Sequence, residues 1–177
     1  MDFAVVPTIA FKILYIFLII DHGRRKIVHF AVTQFPNAEW AKQQIRNATF
    51  FDQPKHLIHD NDPVFKSSLF QQFLLDIQVK SKNISPRSPW QNGICERLIG
   101  TVRRELFDHI IPWNQRHLEK LLKDYVYYYN NVRTHQFIDC KTPILKFVPP
   151  PKTKVKNTVL SAKPILGGLY HKYEKAA

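Results

Sequence analysis

The stretch IAFKILYIFLII, residues 9–20, constrains this chain more than any other segment. It is apolar at almost every position and rich in β-branched and aromatic residues, so the element it forms must be covered on both faces. It is shorter than a membrane span and has Lys12 inside it, which argues against a transmembrane helix and for a core strand, KILYIFLII. IVHFAVT, residues 27–33, reads as a second strand, and the Asp-His-Gly link between the two runs predicts an antiparallel hairpin. DFAVVPT, from Asp2, is a candidate first strand pairing with KILYIFLII. A chain of 177 residues can hold one sizeable core with some appended peptide.

Further along, Asn37 is suited to cap a helix, AEWAKQQIRNATF, with Trp40, Ile45 and Phe50 as its apolar stripe. KHLIHD reads as a short strand, FKSSLFQQFLLDI as a helix and QVKS as another short strand, before a loop marked by SPRSPWQNG. A long helix is expected from about Asn92 to His109, stopped before Pro112, and another from about Gln115 to Asn131. A hairpin followed by right-handed crossovers gives an α/β fold, a mixed five-stranded sheet flanked by helices. FVPPPKTKVKNT has the composition of a linker rather than of regular structure. The chain thus divides into a core over residues 1–137 and a basic, Pro- and Lys-rich extension over 138–177, whose lysine tail reads as a solvated, flexible end.

Charge narrows the partners. A formal net charge of +12 and a pI near 9.8 attract polyanions, with nucleic acid ahead of an anionic membrane surface. No signal peptide precedes the first strand, so the expected location is cytoplasmic. Cys95 and Cys140 are too few for a disulfide framework and are expected to be reduced thiols. Neither His109 with His117 nor His135 with Cys140 has a zinc spacing, and no zinc is assigned.

The candidate chemistry lies in carboxylates. Asp60, in HDNDPVF, ends a predicted central strand, and the carboxyl ends of strands in open α/β sheets are where ligands gather. Glu96 lies on the long helix. The 35 residues between them allow one helix, one strand and the SPRSPWQNG loop, enough to bring that helix back past the sheet with Glu96 beside Asp60. Two carboxylates held close need a cation. On the helix, Cys95, Leu98, Ile99, Val102 and Leu106 make the apolar stripe, while Glu96, Gly100 and Arg103 share a neighbouring strip. Gly100 leaves room for something to approach, and Arg103 is placed to meet a phosphate. A pair of Mg²⁺ ions clamping a scissile phosphate would need a third acid, for which Asp2, Asp21 and Asp62 are candidates. Asp21 belongs to a turn, where Asp is common for its own reasons, and Asp2, on a strand beside Asp60, is better placed.

Structural roles compete with each of these. Asp60 could be a turn or capping acid, Glu96 a surface acid, and Arg103 and Arg104 partners of Glu105 and Asp108. Tyr125, Tyr128 and Tyr129 are expected to pack helix against sheet, Arg133 and His135 to order the end of the domain, and Trp90 to anchor its loop.

The aspartate in MDFAVVPT, that in HDNDPVF and the glutamate in SPWQNGICERLIGTVRREL together resemble the three-acid core of retroviral integrases and bacterial insertion-sequence transposases. YYYNNVRTHQFIDCKTP resembles the YN..R.H....TP ending of the bacterial branch, and PILGGLYHKYEKAA the tail of integrase-core transposases. The resemblance implies an RNase H-like fold and DDE-type DNA cutting and joining with Mg²⁺ or Mn²⁺, held by Asp2, Asp60 and Glu96. It implies DNA contacts at Gln91, Asn92, Gly100 and Arg103, and a homo-oligomer on DNA element ends and target, nucleoid-associated in a bacterial cytoplasm. Transposases of this kind carry an N-terminal helix-turn-helix, and here only Met1 precedes Asp2. A truncated, non-catalytic DNA-binding or inhibitory fragment is therefore the alternative, and an RNase H-type nuclease on the same fold a third.

Overall fold

The first apolar run forms β2, Ile13–Ile20, the middle strand of a three-stranded antiparallel sheet between β1, Asp2–Pro7, and β3, Ile27–Thr33. The computed structural model describes residues 1–85, 89–144 and 160–175. Along β2 the buried side chains alternate: Leu14, Ile16, Leu18 and Ile20 join one core, Phe17 and Ile19 the other. The first core is completed by α4, Gly93–Val102, and α5, Gln115–Asn131, through residues such as Leu98, Val102, Leu118 and Leu122. The second is completed by α1, Ala38–Thr49, α2, Pro63–Lys66, and α3, Ser68–Asp76, through Ala41, Ile45, Phe65 and Phe70. Each fully buried Leu, Ile or Phe stabilises the fold by roughly 1.5–3 kcal/mol, so a strand apolar at both parities is held from both sides.

The remaining two expected strands, β4, His56–His59, and β5, Lys80–Asn83, pair in parallel across the α2–α3 crossover. They form their own sheet, so the single five-stranded sheet expected from the sequence is instead a three-stranded and a two-stranded one. The reason lies at β1, whose pairing with β2 begins with Asp2 opposite Leu18. Among the described residues the hydrogen bond that reaches β4 from this end is that of the Met1 ammonium, which donates to the Ile58 carbonyl at 2.7 Å where a ladder would need several bonds.

Local chemistry explains the other departures. Asn37 caps α1 as expected, accepting from the Trp40 N–H, but Phe50 lies past its end and is 78% exposed, leaving Ala41 and Ile45 as the buried stripe. The helix expected over 65–77 is broken at Ser67, whose extended backbone and hydroxyl start α3 afresh by capping Phe70 N–H. β5 begins two residues late because Gln78 turns the chain with a positive φ of 57°. The long helix stops being α-helical at Val102 and widens into a π-helical turn, Arg103–Phe107, which Asp108 N–H closes onto the Arg103 carbonyl. That wider turn keeps Leu106 in the core while Glu105 faces α5.

The expected linker FVPPPKTKVKNT lies outside the described residues. The C-terminal segment beyond it is not a solvated, flexible end: β6, Leu160–Ile165, and β7, Tyr170–Lys175, form an antiparallel hairpin. Leu166 at its turn enters the α4–α5 core, and Tyr170 stacks on Tyr128 with ring centroids 4.0 Å apart. Among the described residues no helix is long and apolar enough to cross a membrane.

Candidate active site

Asp2 opens β1, Asp60 follows the last residue of β4, and Glu96 lies in the first turn of α4. Asp2 is half-buried, and its Oδ1 accepts from Phe3 N–H at 2.7 Å while its Oδ2 accepts from Asn92 Nδ2 at 3.2 Å. Burial pushes its carboxyl up from 3.8 to about 6, helped by the negative field of Asp60 and, more weakly, of Glu96; the Phe3 N–H and the Met1 ammonium oppose the rise. The charges of the other two acids named from the sequence therefore both reach Asp2. Glu96 itself is exposed.

Asp60 is steered by its neighbours. Its Oδ1 accepts from Asp62 N–H at 3.2 Å. His59, fully buried, bonds the Asp60 carbonyl through Nδ1 and Ser81 Oγ through Nε2, and burial lowers its pKa, so the ring is neutral and fixed. Asn61 Nδ2 reaches across to the Ile84 carbonyl. Sequence reasoning missed His59 and Asn61. His59 was legible, since it shares the inward parity of Leu57 along β4.

The other acids have local duties. Asp62 accepts from Val64 N–H at 2.8 Å and caps α2, ahead of Pro63 at the first helical position. Asp21 accepts from Gly23 N–H inside the β2–β3 turn. Gln91, an expected DNA contact, accepts from Ser85 N–H at 2.7 Å and so closes the base of the loop before α4. Asn92, another, is fully buried against Asp2, and its Oδ1 has no hydrogen-bond partner. Arg103 is exposed, and a Cβ placed on Gly100 would lie 3.3 Å from Arg104 Nη1. Trp90, expected to anchor its loop, is 74% exposed. Both cysteines are free thiols, and burial pushes that of Cys95 up to about 11.

A second constellation, on the far side of α4, accounts for the tyrosines and the R-T-H run. Glu105 receives Arg133 in a two-pronged ion pair, Nη2 to Oε1 at 2.8 Å and Nε to Oε2 at 3.1 Å. Tyr125 OH also donates to Glu105 Oε2, and Tyr170 OH to the Glu105 carbonyl. His135 bonds the Tyr129 carbonyl through Nε2, and Arg133 Nη1 lies 3.1 Å from its Nδ1. Of the partners the sequence offered for Arg103 and Arg104, Glu105 is taken by Arg133, which no local spacing signals.

Asp2, Asp60 and Glu96 are an all-oxygen donor set that suits Mg²⁺ or Mn²⁺. Two observations fit a cation beside them: the half-buried Asp2 carboxyl, raised above its ordinary range by burial and further by Asp60 and Glu96, and the unpartnered Asn92 Oδ1 against it. Among the described residues no group of three or more His, Cys, Asp and Glu side chains forms a ready ligand shell.

A family model described as Integrase core domain matches residues 77–143, which include Glu96, Arg133 and His135 but not Asp2 or Asp60. No curated protein matches the chain. Among solved structures, it resembles a chain of the simian T-cell lymphotropic virus intasome in complex with PP2A regulatory subunit B56 gamma, with a TM-score of 0.68 at 16% identity. That match covers 99% of this chain and 66% of the viral one. The HTLV-2 integrase catalytic core domain in complex with magnesium gives 0.62 at 16% identity over 80% of this chain and 90% of that one. The BIV integrase catalytic core domain gives 0.58 at 15% identity over 80% and 88%. The chain is integrase-core-like: it has the α/β fold of these catalytic cores, and its second half carries the matching segment.

Proposed function

We propose that this integrase-core-like chain is the catalytic core of a DDE-type DNA transposase or integrase, a polynucleotidyl transferase that cuts DNA 3′ ends and joins them to a target. One observation carries the reading: Asp2, Asp60 and Glu96 stand at the start of β1, just after β4 and in the first turn of α4 within this fold, close enough for the charges of Asp60 and Glu96 to reach the Asp2 carboxyl. Asp2, Asp60 and Glu96 would hold Mg²⁺ or Mn²⁺, which when bound supplies activation of the nucleophile and charge stabilisation at the leaving oxygen. Asn92 orients the Asp2 carboxylate, and the Asp62 N–H orients that of Asp60. Asp2 takes up a proton near pH 6, so ligation through it weakens in acid. Gln91, Gly100 and Arg103 would face DNA, while Asn92 serves the carboxylates from behind. The active form would be a homo-oligomer that brings two element ends together on a bacterial nucleoid, with residues 1–137 as the core and the basic extension adding DNA affinity.

The deciding experiment is strand transfer of labelled duplex ends by the purified chain and by Glu96→Gln, with Mg²⁺ or Mn²⁺. Joining that is lost in the variant supports the reading, and joining that survives it removes Glu96 from the chemistry. A second reading, a DNA-binding fragment without chemistry, is favoured by the lack of a ready ligand shell among the described residues and by the single bond between Met1 and β4. DNA binding with no joining at any metal concentration would establish it. Cleavage of an RNA:DNA hybrid in preference to duplex DNA would point instead to an RNase H-type nuclease.

A further inference from the structure

A cleft of about 450 Å³ opens on the flank of α4, between the β2–β3 turn and the segment after α5. Three guanidinium groups, those of Arg25, Arg97 and Arg133, line it, and no carboxylate does. Arg133 is neutralised by Glu105. Arg25 and Arg97 make no ion pair among the described residues. Arg25 is nonetheless held in place: its backbone is left-handed, at φ 59°, and its guanidinium lies 3.9 Å over the ring of Phe137. A cation fixed over an aromatic face and half withdrawn from water, with no anion beside it, is an incomplete interaction. His135, whose pKa burial lowers, adds no charge at neutral pH.

The strip of α4 that lines the cleft adjoins the strip that carries Glu96. At about 100° per residue, Ile94, Arg97, Leu98 and Thr101 share the strip that lines the cleft, while Glu96 and Gly100 share the strip toward the carboxylates. Arg104 lies back over Gly100, since a Cβ there would sit 3.3 Å from its Nη1, and it too has no ion-pair partner among the described residues. The exposed surface of the helix therefore runs from Glu96, over a bare glycine and the Arg104 guanidinium, to Arg97 and the cleft.

We infer that this cleft is an anchor for the phosphodiester backbone of DNA: a strand leaving the carboxylates crosses α4 at Gly100 and seats a phosphate between Arg25 and Arg97. The inference rests on the reading that the carboxylate site handles DNA. Its test is separate, because binding can be measured in EDTA, where no joining takes place. Fluorescence anisotropy of a labelled duplex across a salt series would compare the unmodified chain, Arg25→Gln/Arg97→Gln, and a control pair on α5, Lys120→Gln/Lys123→Gln. Each lost phosphate contact reduces the slope of log K against log salt by about 0.9, so the Arg pair should lose roughly 1.8 and bind more weakly. The control pair should lose less than half of that. An unchanged slope in the Arg pair, or an equal loss in the control pair, overturns the anchor and leaves only diffuse basic charge. Arg97→Gln alone, on an exposed side chain, keeps the test decisive if Arg25→Gln unfolds the turn: its slope should fall by about 0.9, and no fall rejects the site. Joining that succeeds with no slope change removes the anchor alone, and failed joining with the slope change present leaves the anchor standing.

Discussion

At Asp2 burial and two neighbouring carboxylates oppose ionisation, while the Phe3 N–H and the Met1 ammonium favour it. The folded pKa of about 6 exceeds the ordinary 3.8, so between those values the folded chain binds more protons than the unfolded one. Stability in EDTA should therefore be fully present below about pH 4 and decline as pH rises through 6. Asp2→Asn should remove that decline, gaining roughly 1–3 kcal/mol at pH 7.5 and nothing at pH 3.5 in urea melts. Parallel curves for the two proteins would mean that the carboxyl is not held against its charge. Adding Mg²⁺ at pH 7.5 should stabilise the unmodified chain and have little effect on Asp2→Asn. The place of Asp60 just past a strand and that of Glu96 on a helix were legible from the local sequence. The role of Asn92 was not, because an asparagine in a polar loop is buried only once β1, 90 residues away, lies against α4.

Elements built on strong periodicity were legible nearly to the residue: β2, β3 and α5 follow from runs whose apolar period is unbroken. The π-helical turn after α4 was not, since no glycine or proline marks it and its cause is a tertiary partner. Glu105 is bonded by α5 through Tyr125, by Arg133 just beyond the end of α5, and by the C-terminal hairpin through Tyr170. Glu105→Gln should destabilise the fold by about 2–3 kcal/mol in chemical denaturation, somewhat less than a fully buried pair because both side chains keep about a quarter of their exposure. Glu105→Gln/Arg133→Met should cost less than Arg133→Met and Glu105→Gln added together; strict additivity would show that the two act independently. Tyr170→Phe should cost about 1 kcal/mol, the loss of one hydrogen bond. At the other face of the sheet, Asn37→Ala should cost about 1 kcal/mol by uncapping α1.

The layered α/β arrangement follows from a central strand that is apolar at both parities, and this much of the whole molecule was legible. The division into two sheets was not, because it depends on how far β1 extends alongside β4, a contact between segments more than fifty residues apart. Nor was the fate of the C-terminal segment: its lysines suggest a solvated end, while Leu166 and Tyr170 bring it into the core. Deleting residues 160–175 should lower the denaturation midpoint and raise binding of a hydrophobic dye, because Tyr128 and the adjoining α5 surface lose their cover; an unchanged melt would show the hairpin to be ornamental. The same hairpin sets the timing of folding during synthesis. Tyr170 closes onto Glu105 across 65 residues of chain, so a nascent chain that already has both helices α4 and α5 still waits for Leu166 and Tyr170. During that wait the central helices show apolar surface to chaperones and proteases, and the exposure lasts until residues 166–170 have been made.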